Sequence, residues 1–329
     1  MIPDVASAPP TRGRLLDRLP PVATLGPILA LFLACAFFAW QSDRFLSGSN
    51  FSLILQQVMV VGVVAIGQTL IILTAGIDLS CGMLMSLGSI VMTKLAVDYE
   101  MSPYLAILCG FLASTAFGFL NGALITRVKL PAFIVTLGTL NIAFAITQIY
   151  SKSQTVSGLP ESLELLGRTF SIGETAVTYG TVLMLLMYLV TWFILRDTAP
   201  GRHIYALGNN AEATRLMGID TRRMLLTIYT VAGLLYGVAG LLLVARTGVG
   251  DPQAGQTDNL DSITAVVLGG TSLFGGRGSI LGTLLGALIV GVFRNGLTLM
   301  GVASVYQILI TGILVILAVT TDQLSRRKG

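Results

Sequence analysis

The most unusual chemical group in the sequence is the carboxylate of Asp78, the only acid between Asp43 and Asp98. It lies in L-T-A-G-I-D-L-S-C-G, from Leu73 to Gly82, within a long stretch that holds no other charge. A charged group at membrane depth costs about 2.5–3.5 kcal/mol on insertion scales, so it needs a reason. Two interpretations are open: Asp78 or Ser80 caps the helix that follows, or Asp78 lies on a pathway through the protein.

A second candidate site is one face of a helix predicted over Pro131 to Tyr150. Five residues at helical spacing share this face and combine apolar and aromatic groups with amides: Phe133, Leu137, Asn141, Phe144 and Gln148. Aromatic rings can pack on the apolar face of a sugar, and amides can hydrogen-bond hydroxyl groups. This face is therefore a candidate for the lining of a pathway. The alternative is that Asn141 and Gln148 bond to neighbouring helices.

Other kinds of chemistry find no support in the sequence. The loop G-x-x-x-x-G-K-[ST], which cradles ATP phosphates, is absent. The one histidine, His203, has no companions at ligand spacing. Cys35, Cys81 and Cys109 all fall inside apolar segments, where they predict packing and not a disulfide framework or a metal site. We therefore expect no catalytic residue, metal or cofactor in this chain.

Charge is concentrated in one stretch, Arg196 to Arg223, which holds five of the twenty basic residues. Its middle predicts a short helix from Asn210 to Met217, because Asn209 or Asn210 can cap the first turn and Gly218 can end it. The residues that could contact another protein are Asn210, Glu212, Arg215, Leu216, Met217 and Gly218. Such a helix could insert into a groove on a partner. The alternative is a solvated loop that only joins two halves.

The composition indicates a membrane protein, since 54% of the residues are hydrophobic and 11% are charged, against roughly a quarter charged in soluble domains. Ten apolar segments can be drawn as spans: about Val22–Trp40, Phe51–Leu73, Leu79–Val97, Tyr104–Thr126, Pro131–Tyr150, Ala176–Leu195, Met224–Ala245, Ser262–Gly276, Ser279–Gly296 and Val305–Thr321. The eighth is too short for a complete crossing. The predicted fold class is an all-α polytopic membrane protein with one transmembrane domain over residues 1–329.

Charge also predicts the orientation of the spans. With the N-terminus inside, fourteen of the twenty basic residues fall on inner segments, whereas the outer segments are acidic. Both termini are therefore predicted to be cytoplasmic, with residues 1–21 as a tail and 196–223 as an inner loop. The basic residues form no stripe, so nucleic acid is not an expected partner. The outer segment Ser151 to Thr175 either folds over the outer mouth, contacts a soluble partner or is a hydrated loop.

The two halves of the chain look related. The windows N-G-A-L-I-T-R-V-K-L-P-A-F-I-V-T-L-G and N-G-L-T-L-M-G-V-A-S-V-Y-Q-I-L-I-T-G, Asn121 to Gly138 and Asn295 to Gly312, agree at five positions. The first window begins at an inner membrane face and the second at an outer one. This arrangement predicts inverted-topology repeats, with spans two to five related to spans seven to ten.

Three blocks resemble the permease subunit of bacterial ABC importers for ribose and similar monosaccharides. T-L-I-I-L-T-A-G-I-D-L-S-C-G, Thr69 to Gly82, resembles the family's T-G-G-I-D-L-S-V-G, with departures at Ala75 and Cys81. G-N-N-A-E-A-T-R-L-M-G-I, Gly208 to Ile219, resembles its cytoplasmic coupling segment. A-V-V-L-G-G-T-S-L-F-G-G-R-G-S-I-L-G-T-L-L-G-A, Ala265 to Ala287, matches its late block closely.

The resemblance covers about Phe45 to Thr321 and implies a type II importer-like permease of the bacterial inner membrane. In such importers two permease copies pair, cytoplasmic subunits bind ATP and Mg and hydrolyse the ATP, and a periplasmic binding protein delivers the sugar. It implies a monosaccharide such as ribose or fructose as the substrate. The alternative function is an ion-coupled secondary transporter of a small polar solute, for which Asp78 is the one intramembrane acid.

The predicted orientation can be tested with reporter fusions. A fusion after Arg223 should report a cytoplasmic location, and a fusion after Thr175 should report the outer side of the membrane. The opposite result at either point would contradict the ten-span arrangement.

Overall fold

The computed structural model describes residues 22–327, so the predicted cytoplasmic tail over residues 1–21 lies outside the described residues. The elements are α1 (Val22–Gln41), α2 (Gly48–Leu73), α3 (Cys81–Val97), α4 (Pro103–Ala123), α5 (Ala132–Ser151), α6 (Glu161–Glu164), β1 (Thr169–Ile172), β2 (Thr175–Thr178), α7 (Tyr179–Asp197), α8 (Ala199–Asn209), α9 (Ala211–Leu216), α10 (Thr221–Thr247), α11 (Asp258–Leu268), α12 (Ile280–Leu299) and α13 (Ser304–Arg327). A π-helical turn over Leu124–Val128 extends α4, and a 3-10 turn over Leu165–Gly167 follows α6.

The long helices are membrane helices by length and composition. Within residues 22–327, six helices are long and apolar enough to cross a bilayer, namely α2, α4, α5, α7, α10 and α12. Shorter apolar segments lie in α1, α3 and α13. Together with the short α11, these helices correspond to the ten predicted spans. The prediction of an all-α polytopic membrane protein is confirmed, whereas the number of complete crossings stays a prediction.

Helix pairing repeats between the two halves. Helix α4 packs on α10, and α12 packs on α2. Helix α3 contacts α4 and α10, as α11 contacts α12 and α2, and α5 lies on α3 as α13 lies on α11. If α2, α3, α4 and α5 are matched in order with α10, α11, α12 and α13, each of these contacts has a counterpart in the other half, as expected of related repeats. Asn121 and Asn295, which the sequence windows align, are both buried near the ends of α4 and α12.

Two predicted spans have different bounds in the structure. The eighth, predicted over Ser262–Gly276, is α11 and ends at Leu268, because a glycine-rich loop with several positive φ angles follows it. The sixth, predicted from Ala176, begins at Tyr179 because the preceding residues form β2 of an antiparallel hairpin. The hairpin was not predicted, since its strands are only four residues long.

The outer segment Ser151 to Thr175 is folded, and the hydrated-loop interpretation is wrong. Leu163 of α6 is fully buried against α4 and α10. Val156 forms a β-bridge with Gly250, in which each amide donates to the other residue's carbonyl at 2.8 and 2.9 Å. These contacts fix the segment on the predicted outer ends of the spanning helices.

Helices α11 and α12 approach each other closely through glycine. A Cβ atom on Gly282 would overlap the carbonyl of Gly269, and one on Gly286 would overlap the carbonyl of Ala265. The two glycines are four residues apart, a spacing of small residues that lets membrane helices pack closely. Gly278, one step earlier in the series, lies in the loop before α12 with a φ of 155°.

The packing of α12 on α11 generates a stability prediction. Gly286→Ala should lower the melting temperature of the detergent-solubilised protein, because overpacking typically costs about 1–3 kcal/mol. The control is Gly312→Ala on α13, where a Cβ atom meets nothing within 4 Å. Alanine is about 0.5–1 kcal/mol better than glycine inside a helix, so this variant should melt at the same temperature or higher. Equal melting of the two variants would contradict the packing argument.

Candidate functional site

The centre of the protein contains a stretch of non-helical backbone, residues 74–80, which we call the 74–80 break. It joins α2 to α3, and Thr74, Asp78 and Ser80 within it are buried. Ala75 adopts a left-handed conformation with a φ of 60°. Backbone polar groups without helical partners are tolerated at membrane depth only when buried in protein or lining a water-filled cavity. The hydrogen-bond partners of the 74–80 break therefore decide whether it can exist.

Polar side chains from four helices supply those partners. Each donates an N–H or O–H group to an oxygen of the break: Gln68 of α2 to the Asp78 carbonyl at 3.1 Å, Thr136 of α5 to the Ile77 carbonyl at 3.3 Å, Asn259 of α11 to the Leu79 carbonyl at 3.3 Å, and Asn121 of α4 to the Ser80 hydroxyl at 3.0 Å. The break is thus tied to both halves of the protein.

The Asp78 carboxylate is enclosed within the break. Its Oδ1 atom accepts hydrogen bonds from the Ser80 amide at 2.8 Å and from the Ser80 hydroxyl at 2.5 Å. Ser80 is the residue before α3, but its side chain makes no capping bond to the helix, so its predicted capping role is wrong. Asp78 instead holds Ser80 in place. Its side chain is almost fully buried here, and its predicted place on a pathway stays a prediction.

The structure places the predicted face of α5 on the accessible side of that helix. Phe133, Leu137 and Asn141 are exposed, and Phe144 and Gln148 are half-buried. The opposite side, which packs on α3, is buried and comprises Val135, Thr136, Thr139, Ala143 and Thr147. The five predicted residues therefore lie together on the side of α5 that a solute or a second protein chain can reach.

The two amides of this face have different partners. The side-chain nitrogen of Asn141 donates to the Leu137 carbonyl of its own helix at 2.9 Å, and its side-chain oxygen takes no part in this bond. Gln148 donates to the Pro252 carbonyl at 3.1 Å, in the segment that precedes α11. The alternative that these amides bind neighbouring structure therefore describes Gln148, although its partner is a loop and not a helix.

A pocket of about 230 Å³ opens beside the break, and we call it the α5 pocket. It is lined by Leu79, Met83, Leu140, Asn141, Phe144, Gly255, Gln256 and Asn259. Asn141 and Phe144 were predicted, whereas Gln256 and Asn259 were missed. Gln253, Gln256 and Asn259 follow one another at three-residue spacing, which is the sequence signal that could have indicated an amide cluster. Gln256, in the segment before α11, and Asn259, in its first turn, line the pocket with Asn141 of α5.

No charged side chain lines the α5 pocket. The acidic residues of α11 are engaged elsewhere, because Asp261 and Asp258 lie 2.9 and 3.8 Å from the guanidinium of Arg294 on α12. These ion pairs hold α11 against α12, while Asn259 points to the break. The pocket combines amides with one aromatic ring, and it is smaller than the roughly 300–1,000 Å³ of drug-sized ligand sites. It suits a small, uncharged, hydroxylated solute better than an ion.

The charged central stretch forms two helices in succession, and α8 was not predicted. Thr198 and Pro200 at its start are its sequence signal, because a threonine cap and an early proline are typical of helix N-termini. The short helix α9 confirms the prediction for Asn210 to Met217. The Asn210 side chain caps it by accepting hydrogen bonds from the amides of residues 212 and 213 at 3.0 and 2.9 Å.

Helix α9 presents an apolar tip beside a pair of opposite charges. Leu216 is 76% exposed and Met217 is 67% exposed. Glu212 and Arg215 lie on the same side with 3.8 Å between their charged groups. Gly218 follows in a left-handed conformation, with a φ of 84°, and turns the chain toward α10. The interpretation of the whole stretch as a solvated loop is therefore wrong for its structure, while its binding role stays a prediction.

Hydrogen bonds connect α8 to the 74–80 break. The Tyr205 hydroxyl donates to the Gly278 carbonyl at 3.1 Å, and burial raises the pKa of Tyr205, so this group stays a protonated donor. In the same loop, the Gly276 amide donates to the Leu73 carbonyl at the end of α2 at 2.9 Å. A continuous path of contacts thus runs from α8 through the loop before α12 to the break.

The fold and these sites define a membrane permease, and comparison with known proteins identifies its family. The family model described as branched-chain amino acid transport system / permease component matches residues 50–319, and the chain belongs to this family.

The chain is 46% identical to the fructose import permease of Rhizobium meliloti over 92% of this chain and 85% of that protein. It is 39% identical to the ribose import permease of Bacillus subtilis over 91% and 92%, and 30% identical to the xylose transport permease of Escherichia coli over 92% of each. Its relatives are permeases and not enzymes, as the sequence predicts.

The accessible side of α5 can be tested by cysteine labelling. In a background with Cys35 and Cys109 replaced by serine, single cysteines at the five predicted positions should react with small water-soluble thiol reagents: Phe133, Leu137, Asn141, Phe144 and Gln148. Cysteines at Val135 and Ala143 on the buried side should stay protected. Protection of all five would contradict an aqueous pathway, because a lipid-facing surface also excludes such reagents.

Proposed function

We propose that this chain forms the membrane pathway of an ATP-driven importer for a monosaccharide such as fructose or ribose. The observation that carries the proposal is the α5 pocket, where Asn141, Gln256 and Asn259 place amides around the ring of Phe144. Amides pair with hydroxyl groups, and the ring offers an apolar surface to a sugar face. The names of the fructose, ribose and xylose permeases support the same class of substrate.

The pathway lies between two copies of the chain. The accessible side of α5 is too apolar for a surface in water, with Phe133, Ile134 and Ile149 all more than half exposed, yet it adjoins the α5 pocket. A second copy facing α5 would create a central passage bordered by both sets of amides. A homodimer therefore explains why polar and apolar residues alternate on this side. Leu79, the neighbour of Asp78, lines the α5 pocket, and we propose that Asp78 supports the wall of the pathway by holding Ser80.

ATP and Mg are bound by a separate cytoplasmic subunit, and α9 transmits the work of hydrolysis. The exposed tip of Leu216 and Met217 enters a groove on that subunit, because buried apolar side chains supply most of the anchoring at such interfaces. Glu212 and Arg215 fix the orientation. Movement of α9 then reaches the 74–80 break through α8 and the loop before α12. A periplasmic binding protein delivers the sugar at the opposite face.

An ion-coupled transporter is the weaker alternative. Such a protein needs charged or carbonyl ligands exposed to the passing ion, but the α5 pocket holds no charged side chain. Asp78, the acid that could serve, has its Oδ1 atom occupied by Ser80 and its side chain enclosed. We place the protein in the bacterial inner membrane with both termini in the cytoplasm, as the distribution of basic residues indicates.

Reconstituted transport tests the function. In proteoliposomes with the ATPase subunit and the binding protein encoded beside it, labelled fructose or ribose should enter only when ATP is supplied to the cytoplasmic face. Uptake by the permease alone, driven by a proton or sodium gradient, would establish the ion-coupled alternative. Failure of every monosaccharide, with uptake of another solute that the binding protein carries, would overturn the proposed substrate class.

The same assay tests the coupling helix. Glu212→Arg reverses a contact charge, and Gly218→Leu places a side chain on a left-handed backbone, a strain of roughly 1–2 kcal/mol. Both variants should insert normally and lose most ATP-driven uptake. Gly301→Leu is the matched control, because Gly301 also has a positive φ and open space around it but lies between α12 and α13. Normal uptake by both α9 variants, with the ATPase bound, would show that α9 is only a linker.

A further inference from the structure

A large apolar cleft lies between α7 and α10. Both helices pack on α2 but leave about 710 Å³ open between them. The floor is formed by α2 and the far end by α8 and the turn before α10. The cleft is lined mostly by apolar side chains, among them Leu186 and Val190 of α7 and Val231 and Leu235 of α10. It is open along the flank of the protein, and an exposed apolar surface of this size indicates an interaction site.

The walls select an apolar occupant. The two hydroxyl groups that line the helical walls are already bonded within their own helices, Thr191 to the Met187 carbonyl at 2.8 Å and Thr227 to the Arg223 carbonyl at 2.9 Å. The remaining side chains of the α7 and α10 walls are aliphatic or methionine. Water in such a cleft would find few partners. An alkyl chain satisfies the walls without leaving a polar group unpaired.

The length of the cleft matches one leaflet of a membrane. On α7 it runs from Leu183 to Ile194 and on α10 from Met224 to Leu235, twelve residues in each case. With a rise of 1.5 Å between successive residues, the first and last residues are about 17 Å apart, close to half of the roughly 30 Å hydrocarbon core. An acyl chain of a phospholipid has this extent. The cleft lies along the flank of the protein, since Leu186 and Val190 are more than half exposed.

The polar end of the cleft is lined by a histidine and a carboxylate, and two arginines are close to them in the sequence. His203 and Asp220 line it, and Asp220 is already engaged by the Arg223 guanidinium at 3.0 Å. Arg202, beside His203, and Arg222, two residues after Asp220, are exposed and form no ion pair with a carboxylate in the described part of the chain. Basic groups between membrane helices at the cytoplasmic side attract anionic headgroups. The charge at this end therefore complements a lipid phosphate.

From the cleft, its length and its charged end, we propose that α7, α8 and α10 form a binding site for an anionic phospholipid of the cytoplasmic leaflet. One acyl chain fills the cleft, and the headgroup lies near Arg202 and Arg222. The lipid lies directly under the turn that joins α9 to α10, through Ile219 and Asp220. It therefore braces the base of the coupling helix, a role independent of which solute the protein carries.

The experiment compares two adjacent leucines of α7. Leu186 lines the cleft, whereas Leu185 points away from it, and they are 53% and 47% exposed. The full-length permease is purified in detergent with added phosphatidylglycerol or phosphatidylethanolamine, and bound lipid is counted by native mass spectrometry. Leu186→Trp should lose most of the retained phosphatidylglycerol, and Leu185→Trp should retain it like the unmodified protein. Equal retention by both variants would overturn the site.

The headgroup and the occupant are tested separately. Arg202→Gln and Arg222→Gln should each weaken phosphatidylglycerol binding about five-fold, as expected from about 1 kcal/mol per basic residue near the surface, with little effect on phosphatidylethanolamine. A photo-crosslinking group at Val231 should yield an adduct with the mass of a phospholipid. An adduct with a second permease copy would show that the cleft is a protein interface and would refute the lipid site.

Discussion

The hydrogen bonding of the 74–80 break is the constraint on which the rest of this structure depends. Its carbonyls cannot face lipid, and because the segment is not helical, they lack the backbone hydrogen-bond partners that a helix would give them. Side chains of α2, α5 and α11 do so instead, through Gln68, Thr136 and Asn259, and Asn121 of α4 donates to the Ser80 hydroxyl. Each of these helices must therefore keep its place relative to the break, so the break organises both halves.

The same constraint explains why the α5 pocket lies where it does. Asn259 reaches the Leu79 carbonyl because α11 begins beside α3, and this also brings Gln256 toward α5. Helix α11 is held there by its ion pairs with Arg294 and by glycine contacts with α12. A pocket next to a break in the helices is thus a product of the fold. A solute in it would touch the backbone that joins α2 to α3, because Leu79 lines the pocket.

A helix of the charged central stretch is also connected to this break. Tyr205 of α8 bonds the loop before α12, and Gly276 of that loop bonds Leu73 at the end of α2. Close glycine contacts allow these segments to touch through their backbones, which are stiffer than side chains. A path of contacts within the protein therefore runs from α8 to the end of α2, where the break begins.

The sequence alone determined the class of the protein, because hydrophobic length and charge act locally and along the chain. Runs of apolar residues predict the spanning helices, and the resemblance of three blocks to known permeases predicts the family. The short helix α9 could also be predicted, since the cap Asn210 and the glycine after it, Gly218, act within about one turn of the chain. The face of α5 follows from helical periodicity in the same way.

Only the tertiary structure decided which of these residues meet. Gln256 and Asn259 join Asn141 and Phe144 across more than a hundred residues of chain, through the packing of α11 that no local pattern encodes. Ser80 was predicted as a cap, but it is held by Asp78 and Asn121, which arrives from α4. The hairpin before α7 also depends on contacts with the rest of the fold, because four-residue strands carry little signal alone. Pairings distant in sequence are set by the packing of helices in three dimensions, and residue order does not reveal them.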